Sequence, residues 1–201
     1  MFDLPNSCLV DKFIPKKIFY EKLGISNNLK NEFINLVEKI VWKYKLSSDT
    51  LGVNKTDSVE EIQIFEIYLK EKIFPKNIIK IISKGIPYKI LFMIKYESDY
   101  CYAIKVEDVY FTYWNEDINI DFKGLTLETI YENIVKKIIK EENNNNDFEI
   151  IIENNSKKNE LLKKIEQLKN KIKQEHQFNR KLELNQTLRK LEKELEELEN
   201  E

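Results

Sequence analysis

The chain has 201 residues, 33 Lys and Arg against 35 Asp and Glu, four Gly and a single His, a length that allows one domain of about 150 residues plus an appendage. One histidine excludes paired-histidine metal sites and any Ser-His-Asp triad not built on His176, and the isolated Gly24, Gly52, Gly85 and Gly124 form neither a GxGxxG turn nor a phosphate loop. The near-balanced charge gives no overall basic field for DNA, so a nucleic acid would have to meet a local patch.

The opening run MFDLPNSCLVDKFIPKK has an acidic residue and a proline where a secretory signal would carry a basic and then an apolar stretch. Pro15 can open a short helix that Gly24 ends, and Ser26 can cap a second helix through Asn35; two helices are thus expected before the sheet. Ile40, Trp42, Tyr44 and Leu46 alternate with Val41, Lys43 and Lys45, the period of a strand with one buried face and Trp42 in the core. In EEIQIFEIYLK, Ile62, Ile64, Glu66 and Tyr68 share one face and Phe65, Ile67 and Leu69 the other, so this strand is expected at the sheet centre.

Pro75 begins a helix that turns Ile78, Ile79, Ile81 and Ile82 inward and stops at Lys84, Gly85 and Pro87. YKILFMIKY and YCYAIKVE form an antiparallel hairpin about Glu97, Ser98 and Asp99, and VYFTYW can add a strand. Thr126 caps a helix with the stripe Leu127, Ile130, Tyr131, Ile134, Val135, Ile138 and Ile139. The expected fold class is α+β, a four- or five-stranded, mainly antiparallel or mixed sheet with packed helices over residues 1–142. The longest apolar-rich window, Ile78 to Ile94, is broken by Lys80, Lys84, Gly85, Pro87 and Lys89 and cannot span a bilayer. Cys8 and Cys101 belong to no CxxC pair and read as buried free thiols of a reducing cytoplasm.

EENNNN, from Glu141 to Asn146, marks a boundary, with an Asn-rich linker over 143–155 in which FEIII reads as an edge strand or the lead-in to a helix. Over 156–201 there is no Gly or Pro. Leu161, Ile165, Leu168 and Ile172 make one heptad seam, and Leu184, Leu188, Leu191, Leu195 and Leu198 make a second, two positions out of frame with the first. The chain either stutters or folds back near His176 to Asn179; the lack of a strong breaker favours one long helix or two coaxial ones. Phe178 sits where the seams meet and reads as a partner-docking knuckle or as the place where the seam rotates. A leucine stripe of this length needs a partner: a second copy, another protein or the other half of a hairpin.

Three chemistries follow. A Mg²⁺-dependent nuclease would use Glu66 and Lys70 with an upstream carboxylate such as Asp57, because paired carboxylates hold the cation and a lysine positions the attacking water. The plainer alternative is a Glu66 near the sheet end, paired with Lys89 or Lys95 of a neighbouring strand. A nucleic-acid surface would use Lys43, Lys45, Lys105 and Tyr100, lysines for phosphates and tyrosine for stacking. The shortage of catalytic side chains favours a protein that works through its surfaces, with no cofactor and no metal expected.

The segments FIPKKIFYEKL, EEIQIFEIYLKEK, SKGIPYKILFMIKY, LTLETIYENIVKKI and EHQFNRKLELNQTLRKLEKEL together resemble an uncharacterised prokaryotic family catalogued as domain of unknown function 4391. Members of that family look like companions of helicase and DNA methyltransferase genes in restriction or phage-defence islands. The resemblance implies a non-catalytic accessory subunit, docking on such an enzyme and assembling through its C-terminal helix. It supplies no catalytic residue for any position here.

Overall fold

A computed structural model describes residues 2–140 and 148–199. The chain divides into two units, Met1–Asn144 and Asn145–Glu201. The first runs β1 (Leu9–Ile14), α1 (Lys17–Lys22), α2 (Asn27–Leu36), β2 (Val37–Leu46), α3 (Ser48–Leu51), β3 (Ile62–Leu69), α4 (Lys76–Gly85), β4 (Lys89–Tyr96), β5 (Asp99–Lys105), β6 (Val109–Phe111) and α5 (Leu127–Ile139). Its strands form a single sheet in sequence order. Neighbours are antiparallel except β3 and β4, which are parallel because α4 carries the chain back across the sheet. The unit is α+β, with helices on a mixed sheet of six strands rather than four or five.

Helix ends follow local chemistry. Ser26 Oγ accepts from the Leu29 amide at 3.4 Å, and Thr126 Oγ1 from the Thr129 amide at 3.2 Å, each satisfying an orphan donor of a first turn. After α1, Gly24 turns the chain at φ 58°, a left-handed conformation that glycine adopts without a Cβ clash.

Two expectations are corrected by bulges. A strand, β1, comes before the helices: its pairing slips between Leu9↔Tyr44 and Lys12↔Trp42, with Asp11 at φ 49°, so the period-two signal that would reveal it is broken. On β2 the partners pass from Trp42↔Phe65 to Tyr44↔Ile64, and the extra residue, Lys43, transfers the alternation to the other side. Ile40, Trp42, Tyr44 and Leu46 therefore do not share one face. Trp42 lies half-buried, its ring stacked on Phe65 at 6.3 Å, whereas Tyr44 and Leu46 are buried opposite.

One face of the sheet carries Ile40, Phe65, Ile67, Phe92 and Ile94, packed in one apolar cluster with Phe33 of α2 and with Ile78, Ile79 and Ile82 of α4. Each such side chain contributes about 1.5–3 kcal/mol by leaving water. Leu46, Ile62, Ile64, Leu91 and Ile104 are buried on the other face. There α5 approaches β5, and Lys89 lies over the Tyr131 ring at 5.2 Å. This cover serves the end of the face where β3 and β4 begin; toward their far ends Tyr68, Met93 and Lys95 are only half-buried.

The second unit is α6 (Phe148–Gln174) and α7 (Phe178–Glu199). Residues 148–155, assigned by composition to a linker, are the first turns of α6; FEIII is helix, and residues 143–147 lie outside those described. The chain then folds back, against the expectation of one long or two coaxial helices. Lys169 on α6 pairs with Glu192 on α7 at 2.9 Å, and Leu161 shares a groove with Leu198, as an antiparallel hairpin requires. A polar side chain makes the break where Gly or Pro was absent: the Glu175 carboxylate accepts from the His176 and Gln177 amides, both at 2.9 Å, and pairs with Arg180 at 3.5 Å. The two-position offset between the seams is the trace of this fold-back. Among the described residues, no helix is long and apolar enough to cross a membrane.

Candidate functional site

Two surfaces present the residues singled out from the sequence. On the first unit, β3 brings Glu66 and Tyr68 to the sheet face that α5 leaves open, and the parallel register places Lys95 beside Tyr68 and Met93 beside Glu66. Glu66, 8% exposed, has both carboxylate oxygens engaged: Lys95 Nζ donates to Oε1 at 2.6 Å and the Tyr68 hydroxyl to Oε2 at 2.8 Å. Burial, and then the bond to Glu66, push the Tyr68 phenol upward, so it remains a neutral donor at ordinary pH. Lys39 Nζ lies 4.1 Å from the Tyr68 ring centre and Lys95 Nζ 5.2 Å, cation–π contacts that hold both ammonium groups over one ring. Next along the sheet, Lys43 donates to Asp11 at 2.7 Å. That bond raises the Lys43 ammonium above its ordinary value, and the charge of Glu66 adds to it.

This arrangement is a closed hydrogen-bonded and ionic network rather than an assembled metal centre. Lys70 does not join it: β3 ends at Leu69, and the Lys70 ammonium turns to the Ile34 carbonyl at 2.9 Å, at the C-terminal end of α2, where unpaired carbonyls and the helix dipole attract a cation. Asp57 lies before β3 and lines a cleft with Pro87 and Lys89. Lys89 pairs with Ile62, four positions before the Glu66–Met93 pair, about 13 Å along the strands. Among the described residues, no three His, Cys, Asp or Glu side chains could together hold a metal ion.

Of the four residues proposed for nucleic acid, Lys43 and Tyr100 lie on the open face and the other two do not. Lys45 is opposite Gln63 on the far face and pairs with Glu61 at 3.1 Å. Lys105 is opposite Val109 and donates to the Val106 carbonyl at 2.8 Å. Tyr100 is the partner of Lys95 across β4 and β5 and meets Tyr102 edge-on at 5.8 Å. Burial pushes the Tyr102 phenol up to about 12. Both tyrosines line a groove of about 490 Å³ with Phe2 and Phe122, whose rim carries Asp3, Asp117 and Asp121. Asp11 escaped the sequence reading because the irregularity in β1 hides that strand, and Lys39 because its place beside Tyr68 is set by the pairing of β2 with β3; the lysine–tyrosine alternation of VEKIVWKYKL was the one local signal.

The second surface is the hairpin. Leu161, Ile165 and Leu168 are buried between the helices, whereas Ile172, Leu184, Leu188, Leu191, Leu195 and Leu198 stay half-exposed. Phe178 is 79% exposed and Leu182 51%. No described residue of α7 is buried, so its leucine stripe is covered on one flank only.

The architecture is an α+β domain followed in the chain by a charged, leucine-striped helical hairpin. The family model described as Domain of unknown function (DUF4391) matches residues 2–195, and the chain belongs to that family. No curated protein matches, and no solved structure does.

Proposed function

We propose that this chain is a non-catalytic accessory subunit of a prokaryotic restriction-like or anti-phage defence system, docking in the cytoplasm on a helicase or DNA methyltransferase and assembling through its C-terminal helices. The observation that supports assembly most is α7, a helix of 22 residues with five seam leucines and none of them buried. Amphipathic helices in water owe most of their stability to packing of the apolar face, so a stripe left half-wet is a surface awaiting a neighbour. The defence setting follows from the family resemblance. Co-expression of the full chain with a helicase or DNA methyltransferase of such a system, followed by affinity purification, tests the reading. The wild type should retain the enzyme, and a Leu188→Glu, Leu195→Glu double variant should lose it; retention by both would overturn the role given to the hairpin.

A second reading is supported by a different surface. Lys39 and Lys95 over Tyr68, with Lys43 and Tyr100 beside them, combine ammonium groups and aromatic faces as single-stranded nucleic-acid platforms do. The corresponding function is nucleic-acid binding without cleavage. Mobility-shift titrations should show affinity falling steeply with salt and weakening in Lys39→Ala, Lys95→Ala; no binding even at low salt would remove it. Cleavage with Mg²⁺ would need Lys70 and Asp57 at Glu66, where neither lies.

A further inference from the structure

The charges of α7 are distributed against its own dipole. Its first part, 178–190, has Arg180, Lys181, Arg189 and Lys190 against the single Glu183; its last part, 191–199, has five glutamates against Lys193. A helix dipole favours anions at the N-terminus and cations at the C-terminus, and α7 has no acidic residue in its first turn and no basic one in its last. This order costs helix stability unless a neighbour supplies the opposite charge. Within the hairpin, α6 supplies it at only one end. The acidic part of α7 runs beside Lys157 and Lys164, which line one groove with Glu194 and Glu197 and with Glu160 of α6 itself, the last paired with Lys164 at 2.7 Å. The basic part runs beside the end of α6 that carries Lys171 and Lys173, Lys171 lining a groove with Arg180. From 170 to 183 the bend has four basic residues, Lys171, Lys173, Arg180 and Lys181, against Glu175 and Glu183, so it keeps a net positive charge.

Four of the five half-exposed seam leucines are symmetric in the same sense. Leu184, Leu188, Leu191 and Leu195 are spaced four, three and four apart, so reversing the helix about its middle brings Leu184 onto Leu195 and Leu188 onto Leu191. From these two patterns we infer that the hairpin completes itself with a second copy of this chain, α7 against α7 in antiparallel sense about a two-fold axis near its centre. In that arrangement the acidic part of each α7 meets the basic bend of its partner, and the leucine stripes close a four-helix core. A parallel pairing would set bend against bend and glutamates against glutamates. The inference rests on the reading of the hairpin as an assembly element and specifies its occupant and direction.

Sedimentation equilibrium of the full chain, together with directed cross-linking, tests it. The wild type should show twice the 24.2 kDa chain mass at low salt and dissociate as salt rises, because the charge contacts are screened; Leu188→Glu, Leu195→Glu should be monomeric. Cys8 and Cys101 are buried, so single exposed cysteines can be introduced as Asn179→Cys and Glu197→Cys. With a short bis-maleimide, a mixture of the two variants should link into a mixed dimer, and Asn179→Cys alone should not link to itself. A monomer at every concentration, or efficient self-linking of Asn179→Cys, overturns the antiparallel dimer. Those results leave docking on another protein standing, because that reading fails separately, when the Leu188→Glu, Leu195→Glu variant co-purifies with the enzyme as well as the wild type does.

Discussion

The two units solve the same problem, hiding apolar side chains, with different completeness. In the first, the central strands β3 and β4 are paired on both edges, and Ile64, Ile67, Leu91, Phe92 and Ile94 are fully buried. In the second, two helices face each other and bury three seam residues, leaving the stripe of α7 half in water. A sheet covered by helices closes its core within the unit, whereas two helices enclose only a line of contact. The first unit is therefore expected to be stable by itself, and the second to gain stability from association.

Substitutions in the two units should separate these regimes. The largest effect is expected for Phe92→Ala, which opens a cavity at the centre of the sheet and should cost the first unit about 3–5 kcal/mol in denaturant unfolding; a cost below about 1 kcal/mol would mean that its core is not the closed one described. Glu66→Ala should cost about 2 kcal/mol, because it strands the half-buried Lys95 ammonium and the Tyr68 hydroxyl. Glu66→Gln, which still accepts a hydrogen bond, should cost less. If wild-type protein cut DNA or RNA with Mg²⁺ and Glu66→Ala did not, Glu66 would be catalytic and the interaction reading would fall; no cleavage by either protein is the expected result.

A smaller effect concerns pH. Asp108, between β5 and β6, binds Lys76 and Lys80 of α4 at 2.5 and 3.1 Å. Burial alone would raise its carboxyl, but the two ammonium groups and the Val109 amide overcome this and hold it well below the usual carboxylate range. A pKa depressed in the folded state contributes stability that is complete above the unfolded value of about 3.9 and is lost as pH falls toward the folded one. The first unit should weaken below about pH 4, and Asp108→Asn should flatten that part of the decline in urea midpoints; an unchanged slope would show that the α4 tether does not matter. The smallest effect on the first unit is expected from Leu188→Glu, which should leave its melting unchanged.

Where a pattern is local, the sequence shows it. The stripe of α5, the stop at Gly24, the Ser26 and Thr126 caps and the two leucine seams all depend on residues within a few positions of one another, and all were readable. β1 was hidden because its side chains are mostly exposed and Asp11 breaks its alternation. The bulge at Lys43 moved Tyr44 and Leu46 away from Ile40 and Trp42, a change that only pairing with β3 produces. For the same reason the partner of Glu66 could be narrowed to Lys89 or Lys95, while the choice of Lys95 depends on the parallel register after α4. Lys70, two residues beyond Tyr68, looked like a member of the same face until the end of α2 supplied it with a carbonyl. The fold-back was missed because a glutamate, Glu175, performs the break that Gly or Pro usually makes.

The contrast between a closed unit and an open one is tested most directly by amide hydrogen exchange on the full chain as a function of its concentration. Protection over 178–199 should rise as concentration increases, while protection over β3 and β4 stays constant, because only α7 gains a neighbour from association. Protection of α7 that is the same at every concentration would contradict the account.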